Sequence, residues 1–407
     1  MLNLTIQLRQ PHPKQEQFIL STAKRKVIKA GRRAGKTVGA AELSIKGFLL
    51  GKRVLYATPT EDQISSFWFE IKQALQEPID AGIYIKNETM HYVELAGTKQ
   101  RIRAKTAYNA DTLRGDFADI LILDEFQLMA EDTWDVVGAP MLADNDGDAV
   151  FIYTPPGLHS SGRSKATDPL HAMKMFKKAQ QDTTGRWEAF KFTSYDNPYI
   201  SKTALDELVM DMTSQSYQME IMAEEFEDAP GALWKRSNLD SNRVRYLPET
   251  LRRIVIGVDP SGSTTGDECG IIAAGRTSKD YFVLKDVSLQ ASPQLWAEAV
   301  VKVYRELEAN LIIAEANYGG EMVRSVLRQA APGLPIRLVH ASRGKEIRAE
   351  PVAALYEQNR VHHLGLLPKL ENEMCYWTPG DKSPNRMDAL VWALVELSNV
   401  GVIKSIG

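Results

Sequence analysis

The stretch Ala30-Gly31-Arg32-Arg33-Ala34-Gly35-Lys36-Thr37 decides the reading of the first half of the chain. It follows the apolar pair Val27-Ile28 and opens a helical pattern that starts at Thr37, reaches about Leu50 and stops at Gly51. A glycine-bearing turn between a strand and a helix points backbone N–H groups and the positive end of the helix at a phosphate. Lys36 adds a point charge and the Thr37 hydroxyl a Mg²⁺ ligand, so ATP with Mg²⁺ is the expected cofactor. Gly31, Arg32, Arg33, Ala34, Gly35, Lys36 and Thr37 would line it. Ala30 stands where such loops usually carry their first glycine, and its methyl is tolerated only at negative φ.

Outward from this loop, apolar runs at 53–58, 120–123 and 149–154 alternate with helical patterns, which predicts an α/β fold with a parallel-rich sheet. A helix is expected over 62–76, with Ile64, Phe67, Trp68, Ile71 and Leu75 on one face, and a hairpin over 91–106 around Gly97. Ile120-Leu121-Ile122-Leu123-Asp124-Glu125 reads as a buried strand presenting two carboxylates at its end. There Asp124 would hold Mg²⁺ and Glu125 would polarise the attacking water. Gln15 can read the adenine edge or simply begin a helix, and Thr154 ends a strand where the γ-phosphate can be sensed. Arg114 reads either as an arginine finger for a neighbouring subunit or as the partner of Asp111 or Asp116.

After residue 155 the chain turns rich in Gly, Ser, Pro and Lys, followed by an amphipathic helix and a helical stretch expected over 203–225. Pro230 and Gly231 mark a linker over 229–250, dividing a domain at 1–228, with a lid and linker portion at about 155–228, from one at 251–407. In the second domain Asp259 and Glu315 each end an apolar strand, and Asp388 begins an apolar helix. Three such acids suit a phosphodiesterase in which two Mg²⁺ or Mn²⁺ ions about 4 Å apart activate water and stabilise the leaving oxygen. Taken singly, each acid also reads as a turn former, a strand-end charge or a helix cap. Asp267 is a further ligand or loop surface, and His362-His363 a metal pair or a strand edge.

At 407 residues, with 44% hydrophobic and 25% charged, the chain fits a globular protein of two or three domains. Its two cysteines, Cys269 and Cys375, form no zinc pattern and fit a reducing compartment. The longest apolar stretch, 389–403, is interrupted by Glu396 and too short to span a bilayer, so no membrane segment is expected. A net charge of −3 leaves nucleic acid open, because a basic groove can lie on an acidic molecule.

Taken together, GRRAGKT (31–37), LRGDFADILILDE (113–125), FIYTPP (151–156), VDPSG (258–262), IIAEAN (312–317) and NRMDALVWAL (385–394) resemble the large terminase subunit of tailed bacteriophages. The resemblance covers nearly the whole chain and extends to GKEIRA at 344–349. It implies an ASCE-type P-loop ATPase domain followed by an RNase H-like nuclease domain. It further implies a motor that drives double-stranded viral DNA through a portal into a procapsid and cuts the concatemer. Expected partners are DNA, the portal and procapsid, a small terminase subunit, and copies of the chain in a ring on the portal. The expected place is the host cytoplasm, outside the finished virion. On this resemblance Arg32 or Arg33 senses the γ-phosphate, Thr154 couples its loss to movement, and Arg114 acts in trans. Asp259, Glu315 and Asp388 then hold the nuclease metals. Two other readings compete. A helicase or repair ATPase fused to a nuclease normally needs a second ATPase core, and one motif set precedes residue 230. A nucleotide-gated DNA clamp would not need Glu125.

Overall fold

In the computed structural model, residues 6–107, 109–155, 164–210, 212–260, 268–316, 320–340, 345–381 and 384–398 are described. The chain divides into two units, 1–225 and 226–407.

In the first unit β1 (Arg25–Ala30), β2 (Arg53–Thr58), β6 (Ile120–Asp124) and β7 (Asp148–Tyr153) are buried along almost their whole length. Strands covered on both faces belong in the middle of a parallel sheet. Among the described residues the sheet runs β3-β4-β5-β2-β6-β7-β1-β8. The other strands are β3 (Tyr84–Asn87), β4 (Tyr92–Leu95), β5 (Arg101–Thr106) and β8 (Trp187–Phe192). Period-two alternation sends Ile28, Tyr56, Ile122 and Ile152 to one face, where they meet Phe18, Phe48 and Phe67. Val27, Leu55, Leu123 and Phe151 go to the other, against Trp134, Leu142 and Phe176. On the first face lie α1 (Pro13–Leu20), α2 (Lys36–Leu49) and α3 (Ile64–Asp80). Because β6, β7 and β1 are parallel neighbours, the loops after all three open at the same sheet edge.

Several elements differ from the sequence reading. β8 was not evident in the sequence: of its six residues only Phe190 and Phe192 are buried, so it carries the weak pattern of an edge strand. The expected helix over 203–225 is broken into Lys202–Met210, Ser214–Ser216 and a π-type turn Tyr217–Ile221. Thr213 restarts it, its side chain accepting from the Ser216 N–H as a helix cap.

The second unit is built on a sheet ordered β13-β12-β9-β10-β11-β14 among the described residues. β9 (Arg253–Asp259), β10 (Gly270–Arg276) and β11 (Tyr281–Asp286) form an antiparallel meander. β12 (Leu311–Glu315) and β13 (Ile336–Val339) extend it in parallel beyond β9, and β14 (Val361–His363) pairs with β11. Helix Asn385–Ser398 is buried from Arg386 to Leu397, hence its apolar character all round. The stretch 229–250, expected as a linker, packs into this unit instead. Trp234 is 2% exposed, Leu239 joins the core, and Val244 pairs with Leu364. Pro230 and Gly231 break periodicity there, but the large apolar side chains that follow still find the core.

Two candidate active sites

At the open edge of the first sheet, the phosphate loop joins β1 to α2. Ala30 is the last residue of β1 and lies in its ladder beside Phe192, so its methyl meets no positive φ. Gly35 caps α2 at φ +88, a left-handed position where a Cβ would also stand 2.7 Å from Gln15 Nε2. Lys36 Nζ donates to Gly31 O at 3.0 Å and to Thr154 Oγ1 at 2.6 Å. Thr154 thus sits beside the lysine expected to meet the phosphates. Thr37 Oγ1 donates to Asp124 Oδ2 at 3.1 Å, bringing together the two groups expected on Mg²⁺. Burial, then the neighbouring Glu125, push the Asp124 carboxyl above its usual range. A divalent cation beside it would relieve both effects.

Glu125 occupies a left-handed backbone position at φ +55, and its Oε2 accepts from Gln127 Nε2 at 2.6 Å. Tyr56 donates to Asp124 Oδ2 at 2.7 Å while its ring stacks on Phe67. Neither Tyr56 nor Gln127 was singled out from sequence; Gln127 follows just after the Asp124-Glu125 motif, and Tyr56 is a polar tip inside the apolar run 53–58. Gln15, read either as an adenine reader or as a polar residue beginning a helix, lies in the first turn of α1. It is 3% exposed, donates to Gly35 O at 2.7 Å and accepts from the His12 N–H. His12 Nε2 lies 3.0 Å from Ala34 O, so α1 braces the phosphate loop from behind. Arg32 and Arg33 are exposed; Arg32 pairs with Glu220 at 2.9 Å. Arg114 is exposed and pairs with Asp111 at 2.7 Å, the local alternative named above.

The three acids of the second unit arrive as expected: Asp259 ends β9, Glu315 ends β12 and Asp388 lies in the first turn of helix Asn385–Ser398. All three are under one-tenth exposed. Burial, then Asp388 and Glu315, push the Asp259 carboxyl well above its usual range, so the three share one electrostatic neighbourhood. Lys345 donates to Asp388 Oδ2 at 2.6 Å, and the Trp392 indole donates to Glu315 Oε2 at 2.8 Å. Among the described residues no three His, Cys, Asp or Glu side chains are gathered tightly enough to hold an ion. The donors are nonetheless all hard oxygens, the set that suits Mg²⁺ or Mn²⁺.

Two contacts that sequence reasoning missed set the helix in place. A Cβ at Gly257 would stand 2.0 Å from Ala389 O, and one at Gly270 would stand 2.0 Å from Asn385 O. The bare backbone of β9 and β10 therefore lets the Asp388 helix lie directly on the sheet. Arg386 ties the start of that helix to Glu268, Asp286 and Glu373. Gly257→Ala is expected to lower stability by about 1–3 kcal/mol or more, because backbone rather than a flexible side chain must yield. An unchanged urea midpoint would contradict this packing. Of the histidines, His362 stacks on Phe282, and His363 lies buried between Glu371 and Tyr356 on the edge strand β14. Asp267 lies outside the described residues.

Comparison with known proteins gives this geometry its context. Residues 27–241 match the family described as "Terminase large subunit, T4likevirus-type, N-terminal", and residues 256–397 match "Terminase RNaseH-like domain". A large terminase subunit of Thermus virus P23-45 is 28% identical over 167 residues, 37% of this chain and 34% of that one. The chain thus aligns with about a third of the length of the curated relatives it matches. The large terminase of bacteriophage HK97 shares the fold at a TM-score of 0.50 and 12% identity, covering 95% of each chain. The large terminase ATPase domain of Thermus phage P74-26 gives a TM-score of 0.44 and 22% identity, covering 53% of this chain and 94% of that one. With one family match spanning more than half of its residues and a second spanning most of the remainder, the chain belongs to the terminase large-subunit family.

Proposed function

We propose that the chain hydrolyses ATP in its first unit to drive double-stranded DNA into a procapsid, and cuts that DNA in its second. The observation that carries this reading is the pairing of a phosphate loop with an acidic triad in one chain of this family. In the first unit Lys36 and the loop N–H groups bind the phosphates, while Thr37 and Asp124, which share a hydrogen bond, hold Mg²⁺. Glu125, steered by Gln127, takes the proton of the attacking water. Thr154, hydrogen-bonded to Lys36, registers loss of the γ-phosphate. In the second unit Asp259, Glu315 and Asp388 are the ligands for Mg²⁺ or Mn²⁺, ions that when bound activate water for phosphodiester hydrolysis. The portal, a small terminase subunit and further copies of the chain are the proposed partners, in the host cytoplasm. ATP turnover is expected to rise when portal-bearing procapsids and DNA are supplied together. Turnover indifferent to both would refute the motor reading.

Arg114 is proposed to complete the ATP site of a neighbouring copy, for which its exposure suits it. An arginine finger contributes roughly 10³ or more in rate, so turnover should rise steeply with assembly. Mixing Arg114→Ala with Glu125→Gln chains tests this. Each alone is expected to be nearly inactive, whereas a mixed ring regains turnover where an intact Arg114 meets an intact Glu125. A co-assembled mixture that stays inactive would confine Arg114 to its own subunit or to its pair with Asp111.

A further inference from the structure

In the second unit one cation beside the acidic triad is held differently from its neighbour. Lys345 and Arg348 lie three residues apart on helix Lys345–Glu357, so they project from the same side of it. Lys345 is 43% exposed and closes on Asp388 at 2.6 Å. Arg348 is only 11% exposed, yet it stops 4.0 Å from Glu315, beyond hydrogen-bonding distance. All three of its guanidinium nitrogens are buried without a hydrogen-bond partner. What holds the group is an aromatic face: the guanidinium lies 4.3 Å from the centroid of the Trp392 ring. The same indole donates its N–H to Glu315 Oε2 at 2.8 Å, so one side chain orients both a triad acid and the cation beside it.

A buried guanidinium with open donors is costly to keep, and a group that served only to balance the acids would close on one, as Lys345 does. The planar fork of arginine matches two oxygens of one phosphate. We propose that Arg348 is a phosphate-binding residue of the nuclease site, turning its buried guanidinium out of this closed position to grip two oxygens of a DNA phosphodiester presented to Asp259, Glu315 and Asp388. This rests on the reading of the second unit as a metal-dependent DNA nuclease.

The test uses the full chain and a short DNA duplex, with cleavage followed in Mn²⁺ and binding followed in Ca²⁺ across a salt series. Arg348→Ala is expected to cut roughly a hundredfold more slowly, as for loss of one transition-state donor. Its log–log salt slope for binding should fall by about 1, the signature of one lost phosphate contact. Arg348→Lys keeps the charge, so the slope should return towards that of the wild type while cleavage stays at least tenfold low. Arg348→Ala with wild-type cleavage and slope would overturn the proposal. So would full cleavage by Arg348→Lys, which decides the matter alone if the alanine variant does not fold. Asp388→Asn separates the two levels. If that variant still cuts, or the wild type never does, the nuclease reading falls and the role of Arg348 with it. If Asp388→Asn is inactive while both Arg348 variants cut normally, only the phosphate-binding role falls.

Discussion

Glu125→Gln is expected to leave ATP binding near that of the wild type and to slow hydrolysis by roughly 10²–10⁴, the range for loss of a general base. Two features fix the carboxylate: the left-handed backbone at φ +55 and the hydrogen bond from Gln127 at 2.6 Å. An amide preserves the shape of the side chain but cannot accept the proton. Lys36→Ala should fail differently. Its ammonium, buried among Gly31 O and Thr154 Oγ1, is the charge proposed to meet the phosphates, so removal should weaken nucleotide binding itself. Nucleotide titration beside single-turnover hydrolysis distinguishes the two. Equal loss of binding in both variants would remove Glu125 from the role of base.

Asp388→Asn and Asp259→Asn should abolish Mg²⁺- or Mn²⁺-dependent DNA cleavage and leave ATP turnover within about twofold of the wild type. The asymmetry follows from the division of the chain at 225/226, because each acid set belongs wholly to one unit. A triad ligand contributes charge to a site where burial and two neighbouring carboxylates already push Asp259 up. Loss of one charge there is expected to lower metal occupancy rather than folding. An Asp388→Asn chain that cut at the wild-type rate would remove Asp388 from the triad and leave Asp267 as the acid to vary next.

The parts of both candidate sites that lie at strand ends were legible from sequence in combination, because an apolar run that stops at an acid marks the end of a buried strand even though each acid alone has other readings. Asp124, Thr154, Asp259 and Glu315 all stand at or just beyond the ends of the strands that carry them. What was not legible depends on which elements meet. Gln15 carried two readings in the sequence, an adenine reader or the start of a helix, and only the packing of α1 behind the phosphate loop shows its amide engaged with Gly35. Arg348 stood in the GKEIRA stretch of the resemblance with no role attached, and only the fold brings Trp392 beneath it, 44 positions later in sequence. Gly257 and Gly270 carry no pattern in the sequence; their meaning is the absence of a Cβ where the Asp388 helix crosses. β8 escaped because an edge strand exposes alternate residues and reads as neither helix nor core.

The most direct test of the motor reading is to fill procapsids with DNA that needs no cutting. Pre-cut linear duplex, portal-bearing procapsids and ATP are incubated with the wild-type, Asp388→Asn or Glu125→Gln chain. The DNA protected from an added nuclease is then measured. Asp388→Asn is expected to protect as much DNA as the wild type, because cutting is dispensable here, and Glu125→Gln almost none. Protection by Glu125→Gln at the wild-type level, or none by either the wild type or Asp388→Asn, would contradict ATP-driven DNA translocation by this chain.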